Sequence, residues 1–302
     1  MSLTLLMTMH NRPPEVMNAV FASLTHFMGN SCYDDLVIVN DRGSRVAIER
    51  ALDEANLTAR IVQIDGLPGH RGQASAWNRG FEAVTTTHVA CMSSDCILLP
   101  WSVQNLRWFH DKFHQFVVFG RAEHCGRNYT TRFDRPGQPS VATKTIVDSR
   151  NGMPEGYIWM LPMDVVRELG GWDEELTNGV CYDHTDIFYR ILKAGYPWAR
   201  VDDICAVHIE HPKLHIRDEE GTERNRVVFE RKHGEHDSKG WLPIAMDRYR
   251  IMLWEHPPMT VWLPLNVTDS EVATLKDLIV HDYLNKDPLA GMVDPLVRAY
   301  AT

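Results

Sequence analysis

Asp35-Leu36-Val37-Ile38-Val39-Asn40-Asp41-Arg42-Gly43-Ser44 is the stretch whose reading decides the fold. Leu36–Val39 is an unbroken apolar, mostly β-branched run, and it stops at a cluster of Asn, Asp, Gly and Ser. A short run of this kind reads as a strand buried on both faces, and the polar cluster as the loop that ends it. The pattern recurs on either side. Leu3–Met9 is a compact apolar run closed by His10-Asn11-Arg12, and Pro13 and Pro14 follow, residues suited to a helix start. Val16, Val20, Leu24 and Phe27 then recur at helical spacing. Val46–Ala55 reads as a helix, Arg60–Ile64 as a third strand, Gly66–Gly72 as a Gly/Pro loop and Gln73–Val84 as a further helix. His88–Met92 is a fourth strand, closed by Ser93-Ser94-Asp95; Trp101–Phe113 reads as a helix and Phe116–Phe119 as a strand.

Strand–helix repetition predicts an α/β protein with a mostly parallel, Rossmann-like sheet and helices on both faces. In such sheets ligands bind beyond the carboxyl ends of the strands. The polar strand ends His10-Asn11-Arg12, Asp41 and Ser93-Ser94-Asp95 are therefore the first places to look for chemistry. Residues 121–154 change character: Arg, Gly, Pro, Thr and Asn dominate with weak periodicity, which reads as a long surface excursion. Order returns with Tyr157–Pro162, a helix at Met163–Leu169, the turn Gly170-Gly171-Trp172-Asp173-Glu174, a helix at Asp183–Ala194 and a strand at Val201–His208. The tail beyond about residue 240 holds Trp, Pro and helical stretches.

The chain has 302 residues, 44% hydrophobic and 24% charged, enough for a substantial core and unlike a disordered or collagenous composition. Its net charge of −9 disfavours capture of nucleic acid or anionic membrane by the surface as a whole. No apolar run approaches the roughly 20 residues that span a bilayer, and Met1–Met9 lacks the basic start and small-residue cleavage site of a signal peptide. The six cysteines form no CxxC pair, which points to a reducing, cytoplasmic setting.

Taken in order, these pieces resemble glycosyltransferase family 2, a group of GT-A enzymes, from residue 2 to about residue 235. Leu3 to Arg12 is similar to the family's opening strand with its P-T-Y-N-R end, and Asp35 to Ser44 to E-I-I-V-V-D-D-G-S with one inserted residue. Gly72-Gln73-Ala74-Ser75-Ala76-Trp77-Asn78-Arg79-Gly80 resembles G-x-x-x-A-R-N-x-G, and Met92-Ser93-Ser94-Asp95 stands where the family has L-D-x-D. Gly170 to Glu174 matches G-G-F-D-E, and Asp183-His184-Thr185-Asp186-Ile187-Phe188-Tyr189-Arg190 matches E-D-x-D-L-x-x-R. Asn225 to Gly234 is similar to the closing N-x-x-x-F-x-x-K-x-G. The resemblance implies a GT-A domain over residues 1–235, with a nucleotide-sugar half (1–120) and an acceptor half (121–235). Residues 236–302 are then a C-terminal extension that packs on the core or forms a homodimer.

It also implies metal-dependent transfer of a sugar, with inversion, from a nucleotide-diphosphate donor, a UDP-sugar by preference, to an acceptor hydroxyl. The acceptor stays open: a saccharide, a lipid-linked precursor, a protein, a metabolite or modified DNA. A divalent cation, Mn²⁺ or Mg²⁺, would neutralise the departing diphosphate and needs few protein ligands beside phosphate and water. Asp95 stands at the family's metal-binding carboxylate; His208, and less strongly His211, are further ligands by position. Thr8, His10 and Asn11 would contact the nucleoside, and Asp41 the N–H of the base ring, a role suited to an acceptor-only carboxylate. Arg12, Arg71 or Arg79 would meet the diphosphate, since guanidinium binds phosphate bidentately. Asn78, Ser93, Ser94 and Trp172 complete the donor pocket. The base that takes the acceptor proton is Asp183, with His184 as the close alternative and Asp186 as a third; histidine, with an unperturbed pKa near 6.5, is chemically adequate.

Three departures matter. Ser93 replaces the first carboxylate of D-x-D, which lowers metal affinity or makes it dependent on nucleotide. Trp77 replaces the arginine before Asn78, and His184 replaces the usual base. The same departures fit a second reading, a catalytically degenerate GT-A-like module that binds nucleotide or a partner.

Overall fold

The computed structural model describes residues 2–28, 32–64, 72–99, 102–125, 157–176, 182–209, 219–234, 248–254 and 259–279. In chain order its elements are β1 (Leu3–His10), α1 (Pro14–Met28), β2 (Asp35–Asp41), α2 (Arg45–Glu54), β3 (Arg60–Gln63), α3 (Gln73–Ala83), β4 (His88–Ser93), β5 (Cys96–Leu98), α4 (Ser102–Lys112), β6 (Val117–Cys125), β7 (Ile158–Pro162), α5 (Met163–Leu169), α6 (Asp183–Ala194), β8 (Trp198–Ile209), α7 (Glu219–His233), β9 (Tyr249–Trp254), β10 (Met259–Pro264) and α8 (Asp269–Leu278). The strands form one sheet in the order β3-β2-β1-β4-β7-β6-β8-β10-β9, with β5 paired to β8 off that path.

The first four strands in this order are all parallel. β7 enters antiparallel to β4, β6 pairs antiparallel with β7 and parallel with β8, and β10 runs antiparallel to β8. The chain steps outward from β1 to β2 to β3 and then returns across β1 to β4. Right-handed crossovers put α1 and α2 on one face for the outward steps and α3 on the other for the return. The packing agrees: α1 lies against α2, and α3 against β1 and β2.

β1, β2 and β4 are buried almost throughout, which explains why they read as continuous apolar runs. A core of aromatic rings covers the sheet beside α3 and α6. Trp77, Trp159, Trp172, Phe81, Phe119 and Phe188 are all buried, with Trp159 and Trp172 ring centroids 4.9 Å apart. Trp77 is thus a core residue that fills the place of the family's arginine.

Two regions differ from the sequence reading. Residues 121–125, read from the sequence as the start of a surface excursion, continue β6 in parallel register with β8, a pairing made only in three dimensions. Strands β9 and β10 stand in the tail, and Trp262 of β10 stacks on Trp198 of β8 at 3.5 Å. The chain divides into a unit of residues 1–263, which carries the sheet, and a second of residues 264–302. In the latter, Thr268 and Glu271 form a reciprocal capping box at the start of α8. Among the described residues no helix is long and apolar enough to cross a membrane.

The turn after α5 is set by two glycines, Gly170 and Gly171, both at φ +72°. It delivers the Trp172 backbone to Asn78, whose Nδ2 donates to Trp172 O (3.0 Å) and whose Oδ1 accepts from Trp172 N (2.8 Å). Gly170→Ala should cost about 1–2 kcal/mol of folding free energy, since a left-handed conformation is its sole demand and a Cβ there meets nothing within 4 Å. Gly171→Ala should cost distinctly more, because its Cβ would lie 2.4 Å from Asn78 Oδ1. Equal costs in urea denaturation would contradict the assigned contact.

At the opposite end of the sheet, His88 is buried against His110, with ring centroids 4.1 Å apart, and its Nε2 donates to His114 O at 2.8 Å. Burial is the main cause that pushes its pKa from 6.5 to about 4. Within that window the unfolded chain takes up a proton that the folded chain refuses, so stability falls as pH falls. The melting temperature of His88→Gln should decline less steeply than the wild type's between pH 6.5 and 4; parallel curves would rule out this residue as the source.

Candidate functional site

Sheet register gathers the strand-end residues. His10 pairs with Asp41 across β1 and β2, and Thr8 pairs with Ser93 across β1 and β4. Three stretches far apart in sequence thus end in one row. Asp41 is nearly buried, and His10 Nδ1 lies 3.0 Å from its Oδ2. The loop after Asp41 is closed by Asn40, which accepts from Gly43 N (3.0 Å) and donates to Gly43 O (2.8 Å). Asn11 is exposed at φ 43°, a left-handed position that asparagine tolerates, and it turns the chain away from β1. Thr8 is half-buried in the same row.

Asp95 is the centre of the row's other end. Its side chain is 7% exposed, and Arg12 Nη2 lies 2.8 Å from its Oδ2. Ser93 Oγ donates to Oδ1 at 2.5 Å, and His208 Nε2 lies 3.5 Å from Oδ2. Arg12 is gripped a second time, its Nε donating to the buried Ser94 Oγ at 2.9 Å. Burial pushes the Asp95 carboxyl up, but His208, Arg12 and Ser93 together outweigh it and hold the group well below the usual carboxylate range.

The route by which His208 arrives is the short strand β5, which turns straight back from Asp95 and pairs with β8 so that Cys96 faces His208. The Ile209 amide donates to Asp95 O at 2.8 Å and fixes this register. Tyr157 stands edge-on to the His208 ring at 5.3 Å, and its carbonyl accepts from Ser93 N.

Asp95 and His208 offer one carboxylate and one imidazole; the carboxylate suits Mn²⁺ or Mg²⁺, and the imidazole favours Mn²⁺ over the harder Mg²⁺. Among the described residues no group of three or more His, Cys, Asp or Glu could hold a metal. Asp95 and His208, the pair the described residues bring together, fit a cation that takes further ligands from phosphate and water.

The three candidate bases separate clearly. Asp186 is 1% exposed and engaged on all sides: Arg190 Nε donates to it at 2.7 Å, and His233 Nε2 lies 2.7 Å away. The same Arg190 donates to Leu169 O (2.6 Å) and Gly171 O (2.8 Å), so Asp186 ties α6 to α7 and to the Gly170–Gly171 turn. Asp183 is buried, with His184 Nδ1 3.4 Å from its Oδ1. Burial pushes the Asp183 carboxyl up, and the His184 ring with nearby amides outweighs that and leaves it lowered. His184 stands edge-on to Trp172 at 5.6 Å, and its Nε2 is buried with no hydrogen-bond partner among the described residues.

Asn78 and Trp172 stand apart from the strand-end row. Asn78 also donates to Glu174 (2.8 Å), and Trp172 is buried in the aromatic core. Asp173 and Glu175 pair with Lys232 of α7, so the turn after α5 is held between α3 and α7. Arg71 and His211 lie outside the described residues. Sequence reasoning missed the Arg12–Asp95 pair, the Ser94 contact and Tyr157. The signal for the first two was adjacency of the strand ends of β1 and β4, which order of elements alone does not fix.

A family model for glycosyl transferase family 2 matches residues 4–170. No curated protein matches the chain. Among solved structures, the mannosyltransferase PcManGT from Pyrobaculum calidifontis, in complex with GDP-Man and Mn²⁺, aligns with TM-score 0.56 and 15% identity over 80% of this chain and 68% of that one. Residues 1–349 of S. aureus TarS, in complex with UDP, align with TM-score 0.55 and 14% identity over 81% of this chain and 69% of that one. At such identities the likeness is one of fold. The family model spans more than half of the chain, which belongs to glycosyl transferase family 2 and is a glycosyltransferase of the GT-A fold.

Proposed function

We propose that the protein transfers a sugar from a UDP-sugar to an acceptor hydroxyl with inversion, and that a divalent cation at Asp95 assists. The observation that carries this reading is the row of Asp41, His10, Thr8 and Ser93 at adjacent strand ends, with Asp95 in the turn just beyond, held by Ser93 and Arg12. Asp41 offers an acceptor to the base ring N–H at one end of the row. At the other end, Asp95 and His208 offer donors to a cation and Arg12 offers a guanidinium to phosphate. The nucleotides in PcManGT and TarS support the substrate class, and the Mn²⁺ in PcManGT supports the cation. A bound divalent cation supplies Lewis-acid neutralisation of the diphosphate as it leaves.

His184 acts as the base in this proposal, with Asp183 as its positioning residue. The buried carboxylate beside Nδ1 favours the tautomer with the proton on Nδ1, which leaves Nε2 as the acceptor. Nε2, buried beside Trp172 until the acceptor binds, takes the acceptor's hydroxyl proton while that oxygen bonds to the anomeric carbon. The carbon–oxygen bond to the diphosphate breaks on the far side, and its electron pair leaves with UDP. Asp186, fully engaged by Arg190 and His233, holds the helix that carries the pair.

A ligand that binds only the folded state raises the melting temperature. UDP should raise it with Mn²⁺ and much less with EDTA, and Asp95→Ala should abolish the difference. A panel of nucleotide diphosphates without any shift would favour the non-catalytic module instead. His184→Asn should lower turnover by about 10²-fold or more while the UDP shift persists, and His184→Asp should recover part of the loss. Wild-type turnover in His184→Asn, measured by UDP release from the donor that the panel selects, would remove His184 from the mechanism.

A further inference from the structure

We infer that Arg12 is a latch on Asp95, one that opens when a nucleotide diphosphate draws the guanidinium away, so that nucleotide and divalent cation load cooperatively. This rests on the reading that the strand-end row binds a nucleotide diphosphate beside a cation at Asp95.

Both oxygens of Asp95 are already engaged: Oδ1 accepts from Ser93 Oγ at 2.5 Å, and Oδ2 faces Arg12 Nη2 at 2.8 Å with His208 Nε2 at 3.5 Å. A divalent cation on Oδ2 would sit against the Arg12 guanidinium and be repelled by it, so Asp95 binds a cation weakly until Arg12 leaves. Among the described residues the planar guanidinium is held at two points, Nη2 on Asp95 and Nε on Ser94, which makes the grip firm. The pair is also largely shielded, with side chains 18% and 7% exposed, so separating it without new partners is costly.

Charge makes the point sharper. A second carboxylate at position 93 would leave net negative charge after pairing with Arg12. Ser93 contributes a donor instead, so the Arg12–Asp95 pair is close to neutral and attracts a bare cation weakly. A diphosphate changes both sides of this balance. It gives the guanidinium an anion that it binds bidentately, and it supplies phosphate oxygens to the cation. Arg12 lies two residues beyond the end of β1, so the exchange needs no movement of the sheet. Each ligand then tightens the other by the same factor, as linkage requires.

The test is a titration with Mn²⁺, read by the free-ion electron paramagnetic resonance signal, on wild type, Arg12→Gln and Ser94→Ala, each with and without saturating UDP. UDP chelates Mn²⁺ in all three proteins, so the informative quantity is the change between them. Arg12→Gln should bind Mn²⁺ alone about tenfold more tightly than wild type, and the gain brought by UDP should shrink by a similar factor, within the usual range of coupling. Ser94→Ala keeps every charge and loosens one grip while the Asp95 pairing stays, so it should shift both quantities the same way by a smaller factor, roughly threefold, at the low end of a net hydrogen bond's worth. If Arg12→Gln does not fold, Ser94→Ala decides alone. Tighter Mn²⁺ binding in Arg12→Gln with no change in Ser94→Ala would mean simple charge repulsion and overturn the latch. So would an unchanged UDP-dependent gain in both variants. Failure of wild type to bind UDP under any condition would overturn the functional reading itself, and the latch with it.

Discussion

A carboxylate that is 7% exposed at the end of a central strand has to be compensated by charge and hydrogen bonds, or it could not remain ionised there. Asp95 meets that demand through Arg12 from the end of β1, Ser93 from its own strand and His208 from β8. These contacts draw together three segments that are remote in sequence. They also explain β5, whose three residues bring β8 back along Asp95 and place His208 within reach. The site's geometry follows from the need to keep this one group charged.

The motifs that mark the family divide into two kinds. Gly170, Gly171, Trp172 and Glu174, with Asn78, Asp186, Arg190 and Lys232, form a connected set of clamps that holds α3, α5, α6 and α7 together. Their spacing is recognisable because packing demands it. Asp41, Asp95, Asp183 and His184 sit at element ends, and for Asp95 and Asp183 burial is outweighed by the pairing, which lowers the carboxyl pKa. The departures from the family pattern fall among both kinds. Trp77 is absorbed into the aromatic core, whereas Ser93 and His184 alter charge and proton acceptance where chemistry is proposed.

Much of the fold was legible in the sequence because burial on both faces leaves a plain mark: β1, β2 and β4 are unbroken apolar runs closed by polar clusters. Helices α5 and α6 follow their apolar spacing from end to end. The strand-end row was legible too, since a parallel sheet directs its carboxyl ends to one edge. What stayed hidden depends on partners distant in sequence. The extension of β6, the short β5, and β9 and β10 are strands by virtue of pairing with β8 and its neighbours, and local pattern carries little of that. Arg12 reads as a phosphate ligand by position. Its place on Asp95 depends on β1 lying next to β4, which only the three-dimensional order of the strands supplies.

The central claim is that Asp95 is a cation site held in reserve by Arg12. A crystal structure of the protein with UDP and Mn²⁺ tests it most directly. Mn²⁺ should lie on Asp95 with His208 nearby, Arg12 on the diphosphate, and the uracil ring against Asp41. Arg12 still paired with Asp95 beside a bound UDP, or UDP seated away from the ends of β1, β2 and β4, would contradict it.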